Sequence, residues 1–309
     1  MSTYHQPVLL EESISGLDIR QGGTYVDVTY GGGGHARVIL ERLQGGRLIA
    51  FDQDADALVN RIDDERLVLI HHNFKYLKNF LQYHQALPVD GILADLGVSS
   101  HQFDEVDRGF SIRSQETLDM RMNRNQQLSA REVLNGYDEE QLTALFRNYG
   151  ELPQARAISK ALGQKREQQK LTTFGQVQEA TQHLAQRGKE NKFYARLMQA
   201  LRIEINGELE ALKAFLQQSA QVLRPEGRLV VISYHSLEDR LVKNFIRAGN
   251  FEGEIEKDFY GNPSAPFQAI NRKPIMPSDA EQQQNSRSRS ARLRIASKIK
   301  NTHHDTSGK

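Results

Sequence analysis

The chain of 309 residues contains no cysteine, which rules out disulfide-linked partners and thiolate metal sites and fits a reducing compartment. Long apolar runs are missing as well. No window approaches the roughly 18 apolar residues that a membrane-spanning helix needs, and the N-terminus lacks a secretory pattern. A cytoplasmic protein with no membrane contact is therefore expected. Net charge is nearly absent too, at +1, but that figure hides unevenness. Arg156 to Ile203 carries ten Lys/Arg against three Glu, a net of +7, and Asn285 to Lys309 carries seven Lys/Arg against one Asp, a net of +6. Two basic segments on a near-neutral chain suggest a polyanionic partner, the plain alternative being solvated helix faces and a flexible tail.

What is present is organised around Thr24-Tyr-Val-Asp-Val-Thr-Tyr-Gly-Gly-Gly-Gly-His-Ala36. Tyr25 to Val28 reads as a strand, four glycines as a turn, and Ala36 to Leu43 as a helix with apolar residues at helical spacing. Strand, glycine turn and helix N-terminus form a nucleotide-binding element, because glycine permits positive φ and the first helical turn has free N–H groups. A second short strand, Leu48 to Asp52, ends in an acid about 20 residues past the glycines, where a ribose-binding carboxylate belongs. Gly31-x-Gly33-x-x-Ala36 also satisfies the dinucleotide fingerprint, so an NAD-dependent oxidoreductase is a rival reading. Asp27 argues against it. A carboxylate just before the turn repels a pyrophosphate and attracts the ammonium or sulfonium of S-adenosylmethionine, unless it is merely a solvated strand-end acid.

The alternation continues. A helix is expected from Ala55 to Val59, a strand over Arg66 to Ile70, a helix from Leu77 to Tyr83 and a strand over Val89 to Asp95. Repeated strand–helix units predict an α/β, doubly wound parallel sheet whose ligands bind beyond the carboxyl ends of its strands. Asp27, Asp52 and Asp95 all stand at such ends. His71 and His72 are neighbours on a strand, point to opposite faces and lack a carboxylate at ligand spacing, so no metal site is expected. Phe74 is placed either to stack on an adenine or to fill the core.

From Asp107 to Met198 helical patterns take over, with Thr172 or Thr173 as a cap and a long amphipathic run from Tyr194 to Leu223. Gly227 to Ser233 resumes the sheet, a helix follows over Leu237 to Ile246, and Phe267 to Ile270 is a candidate strand. Arg292 to Ala296 reads as the final strand closing the sheet. The expected organisation is residues 1–106 and 199–297 for the two parts of one domain, 107–198 for a helical insertion recognising RNA, and 298–309 for a disordered tail.

Nearly the whole chain carries idiosyncratic motifs: HQPVLLEE at 5–12, DVTYGGGGHA, FDQD at 51–54, DLGVSSHQFD at 95–104, RGFS and LDMRM between 108 and 122, YGELP at 149–153, QALRIEINGEL at 199–209, YHSLEDRLVK at 234–243 and NSRSRSARLR at 285–294. With these motifs the chain resembles the bacterial small-subunit (16S) ribosomal RNA cytosine-N4 methyltransferases. That resemblance implies a Rossmann-like class I S-adenosylmethionine-dependent methyltransferase with an inserted all-helical domain, modifying a cytidine in the decoding centre of 16S rRNA. It implies cofactor contacts from Gly33, Gly34, His35, Asp52, Phe74, Asp95 and Gln102. Three departures stand out: Ala36 where the family has serine, Leu152 where it commonly repeats glutamate, and Tyr234 where phenylalanine is usual.

Methyl transfer to an exocyclic amine requires the nitrogen to be aligned with the donor methyl and its hydrogens to be accepted as charge develops. The Asp/Asn-Pro-Pro-aromatic loop of many amino-methyltransferases is absent, and DLGVSS occupies its place. Asp95 is the candidate proton acceptor or cofactor anchor. Ser99 or Ser100 either positions the base or caps the next turn. His235 with Glu238-Asp239-Arg240 either shapes the base pocket or forms a capping network. A non-catalytic RNA-binding assembly factor remains the third reading, opposed by the full set of strand-end acids.

Overall fold

The computed structural model describes residues 7–112, 117–257, 261 and 264–300. The chain divides into two compact units, residues 1–97 with 211–309, and residues 98–210.

The first unit is built on a seven-stranded sheet of order β3-β2-β1-β4-β5-β7-β6. Its strands are β1 (Thr24–Asp27), β2 (Arg47–Asp52), β3 (Leu67–His71), β4 (Val89–Asp95), β5 (Leu223–Ser233), β6 (Phe267–Ala269) and β7 (Arg292–Lys298). β1 to β5 run parallel, whereas β7 is antiparallel to both β5 and β6. This is the doubly wound, Rossmann-like sheet that the strand–helix alternation predicts. The expectation that Arg292 to Ala296 closes the sheet is corrected: β7 pairs on both sides and β6 takes the edge.

Alternate residues along the strands feed two cores, as a two-sided sheet requires. Val26, Ile49, Phe51, Ile92 and Val231 pack with α3 (Leu77–Tyr83), α10 (Glu208–Val222) and α11 (Ser236–Ala248). Tyr25, Leu48, Ala50, Leu93 and Val230 pack with α1 (Leu10–Leu17) and α2 (Gly34–Arg42). The segment Ala55–Asn60 is a 3-10 helix rather than the expected α-helix. Asp54 caps it through Asp56 N, and Tyr30 holds its far end by donating to Asn60 O (2.7 Å) and accepting from Ile62 N (3.0 Å). A turn pinned at both ends has no room to propagate as a helix. A short α12 (Asp279–Gln284), not anticipated from the sequence, precedes β7.

The second unit is helical: α4 (Ser100–Asp104), α5 (Ala130–Gly136), α6 (Glu139–Asn148), α7 (Ala155–Gln168), α8 (Phe174–Thr181) and α9 (Glu190–Asn206), with the first residues of α10. It is wider at both ends than 107–198. Leu201 and Ile205 of α9 belong to its core with Val133, Phe146 and Ile158, and Val98 packs against the same cluster. The amphipathic run from Tyr194 to Leu223 is two helices, since Gly207 sits at φ 58° and its backbone ends α9. Glycine alone takes that conformation without strain, so apolar periodicity carries across a break it cannot reveal.

Among the described residues no helix is long and apolar enough to cross a membrane. The expected disordered tail lies outside the described residues from 301 onward, while Lys298 ends β7.

Candidate active site

The strand order reverses at β1, which pairs with β2 on one side and β4 on the other. Crevices at such a reversal are the usual ligand sites of open α/β sheets. Asp27 ends β1 and Asp95 ends β4, on adjacent strands, and Asp52 ends β2.

Thr29 ties the first two together. Its backbone N–H donates to Asp27 Oδ1 (3.0 Å), and its hydroxyl accepts from Asp95 N (2.7 Å). Asp52 closes the glycine turn onto β2, accepting from Gly31 N (2.8 Å) through Oδ2 and from Asp54 N (2.9 Å) through Oδ1. Gly33 has φ 75° and is the N-cap of α2, and a side chain there would meet the Tyr30 hydroxyl. One at Gly34 would strike the Pro7 ring. The turn is therefore bare backbone, with the N–H groups of α2 and, among the described residues, no capping side chain.

His35, in the first turn of α2, is buried and lies 3.9 Å through Nδ1 from Asp95 Oδ2. Burial pushes its pKa down to about 4, against the opposing effect of a hydrogen bond to the Val8 backbone, so the imidazole is neutral. The carboxyls move the other way. Burial raises Asp27 to about 7, opposed by the Thr29 hydrogen bonds and reinforced by Asp52. Burial raises Asp95 to about 7 as well, with Asp27 and Glu238 adding to the rise and the Tyr234 hydroxyl opposing it. Asp52 is raised to about 6, again chiefly by burial.

A positively charged, hydrogen-bonding ligand fits these groups. Asp27 Oδ2 and His35 Nε2 are both buried with no hydrogen-bond partner among the described residues, which burial penalises unless a ligand supplies one. The carboxyls repel one another, so a cation among them is stabilised and a pyrophosphate is repelled. The residues present thus suit S-adenosylmethionine. Asp27, Asp52, Asp95 and the Gly33–His35 turn would hold it.

An expected result follows from the raised acids. A carboxyl whose folded pKa exceeds its unfolded value contributes stability that is full below about pH 4 and lost as pH rises through about 7. Asp27→Asn removes this dependence. The variant should match wild type near pH 4 and exceed it by about 1–3 kcal/mol at pH 8. Thermal melts of both proteins across that range test this, and a difference that does not grow with pH would contradict it.

Other candidates take different places. Phe74 is half-buried, with its ring edge-to-face on Phe215 at 5.5 Å, so the core claims part of its surface. Ser99 and Gln102 lie in the helical unit and form a capping box: Gln102 N donates to Ser99 Oγ (3.2 Å) and Ser99 N to Gln102 Oε1 (3.0 Å). The capping alternative for Ser99 is thus realised, and Gln102 is a buried residue of the same turn. His235 is the N-cap of α11, its Nδ1 accepting from Glu238 N (3.4 Å). Asp239 accepts from Arg294 Nε (2.6 Å) and from Arg292 Nη1 (3.3 Å), tying α11 to β7. His71 Nε2 faces Gln53 O, and His72 packs on Tyr76 and Phe80. Sequence reasoning missed Thr29 and gave Tyr234 no role, although Tyr234 Oη donates to Asp95 Oδ1 (2.8 Å). Thr29 stands inside the glycine motif, and a hydroxyl two residues past the end of β1 was the available signal.

The model of the MraW methylase family matches residues 2–299. The chain is 54% identical over 297 residues to the ribosomal RNA small subunit methyltransferase H of Christiangramia forsetii, covering 96% of this chain and 98% of that one. It is 54% identical over 300 residues to the protein of the same name from Parabacteroides distasonis, with the same coverage. The corresponding protein of Bacteroides thetaiotaomicron is 52% identical over 297 residues, again covering 96% and 98%. A match spanning the glycine turn, the strand-end acids and the helical unit alike places the chain in the MraW methylase family.

Proposed function

We propose that this protein methylates the exocyclic N4 amine of a cytidine in the decoding centre of 16S rRNA, within the small ribosomal subunit. The observation that carries this reading is the group of carboxyls at the ends of β1, β2 and β4, Asp27 buried and Asp52 and Asp95 half-buried, around a bare helix N-terminus. When bound, S-adenosylmethionine supplies a methyl on a sulfonium that departs as a neutral thioether.

Everything else falls to the chain. Asp52 accepts hydroxyl hydrogens beside the glycine turn, where its oxygens retain lone pairs beyond those used by Gly31 and Asp54. Asp27 balances positive charge. As the amine nitrogen gains a carbon its proton becomes acidic, and Asp95 accepts it through Oδ2. A carboxyl titrating near pH 7 is well matched to that transfer. Neutral His35 beside Asp95 adds no positive charge that would hold Asp95 in the ionised form. The base must also leave its stack, which an already unpaired cytidine makes cheap.

The test is direct. Methyl-labelled donor is offered with small subunits and with naked 16S rRNA, and the modified nucleoside is identified. One N4-methylated cytidine is expected. A methyl on another base or another atom would overturn the proposal.

The helical unit is proposed to contact the RNA, and its basic residues divide into two sets. Lys165, Arg166, Lys170, Arg187, Lys189 and Lys192 read alike in the sequence. Lys165 is in fact paired with Glu179 (2.7 Å), and Arg166 Nη1 donates to Leu134 O and Tyr137 O. Those two hold α5, α7 and α8 together, so reversing them would damage the unit itself. Lys170, Arg187, Lys189 and Lys192 are exposed. Reversing these four should weaken association with the small subunit and flatten the slope of log K against log salt by up to about 3. Donor affinity should not change. An unaltered slope would make this face simply solvated.

A further inference from the structure

Tyr234 follows β5 directly, and Asp95 ends the neighbouring strand, paired in register with Ile232. The phenol donates to Asp95 Oδ1 at 2.8 Å. The tyrosine is held from two further directions. Its backbone N–H donates to Glu238 Oε2 (2.8 Å), and its ring lies beside Gly97, where an added Cβ would sit 3.6 Å from ring carbon Cδ2. A donor fixed this way loses little entropy in holding its partner, unlike a flexible side chain.

We propose that Tyr234 is a positioning residue for methyl transfer, acting through Asp95: its phenol fixes Oδ1 and leaves Oδ2 to meet the acceptor amine. The proposal rests on the function given above. In that reaction the nitrogen lone pair forms the new N–C bond, the S–C bond pair stays on sulfur, and the N–H proton passes to Asp95 Oδ2 and then to solvent.

The phenol suits the task because it does not lose its own proton. Burial, Asp95, Glu238 and Glu281 all push its pKa well above the usual value, so it remains a donor at any working pH. The groups facing Asp95 are Asp27 from β1, Glu238 from α11, neutral His35 from α2, and Tyr234. Burial and the two acids favour the protonated carboxyl, and the phenol hydrogen bond opposes them. Tyr234→Phe deletes the oxygen and keeps the ring on Gly97.

Turnover should then fall about fivefold at pH 7, more at lower pH, and recover toward wild type near pH 9, because the acid limb of the profile moves up by about one unit. The KM for the donor should change little. The test is methyl transfer to small subunits by wild type and Tyr234→Phe between roughly pH 6 and 9. It is joined by carboxyl NMR titration of aspartate-labelled protein without donor, with the Asp95 signal assigned from Asp95→Asn. An upward shift of both the acid limb and the Asp95 titration supports the proposal. A loss equal at every pH, or an Asp95 titration identical in the two proteins, overturns it. Should wild type methylate nothing, the functional reading fails by itself, and the titration still decides whether Tyr234 governs Asp95.

Discussion

Asp95→Asn is expected to lower kcat by about a hundredfold, close to 2.7 kcal/mol of transition-state stabilisation, while the protein remains folded. The amide keeps the shape of the carboxylate, and its oxygen can still accept from Tyr234 Oη. What it loses is the ability to take a proton. Its fold should not suffer. Burial together with Asp27 and Glu238 already drives Asp95 toward its neutral form, so replacing it by a neutral isostere relieves a cost at pH 8. An inactive variant that melts at or above the wild-type temperature separates catalysis from structure. The kinetic split then assigns the role: a fall in kcat alone marks a proton acceptor, and a rise in donor Kd marks an anchor. Turnover within twofold of wild type would remove Asp95 from both.

Asp52→Ala is expected to weaken S-adenosylmethionine binding by about 1–3 kcal/mol, the range for a buried donor or acceptor stripped of a charged partner. The geometry adds a second contribution. Asp52 also holds Gly31 N and Asp54 N, so alanine releases the glycine turn and the start of the 3-10 segment together. Asp52→Asn keeps one acceptor for those amides and should bind more tightly than Asp52→Ala. Calorimetry on the three proteins measures both terms. Equal donor affinity in wild type and Asp52→Ala would mean that the ribose contact lies elsewhere.

Where the acids of the candidate site stand was legible, because strands announce themselves by apolar alternation and parallel sheets put ligands at strand ends. Asp27, Asp52 and Asp95 needed only those two rules. The contact between Tyr234 and Asp95 was not legible, since it joins the end of β4 to the residue after β5 across the entire helical unit in sequence. Lys165 and Arg166 were indistinguishable from Lys170 in the sequence, because a charge count does not register which carbonyls or acids lie within reach. The same limit hid Gly207: hydrophobic period persists through a break made by one residue's backbone. The order of β6 and β7 escaped for a related reason, as alternation identifies a strand without naming its neighbours.

The helical unit interrupts the chain between β4 and β5, two strands that pair directly in the finished sheet. On a translating ribosome, β1 to β4 emerge first, and β4 has its β1 side covered while its other edge stays open. That edge carries Gly-Ile-Leu-Ala, an apolar stretch prone to pair with any strand it meets. It is protected only after residues 98–210 and then β5 have been synthesised. The length of the detour adds little to the equilibrium cost, since doubling such a loop adds about 0.6 kcal/mol. Its cost is in time: the nascent protein carries half a sheet with an unpaired edge for as long as the helical unit takes to be made.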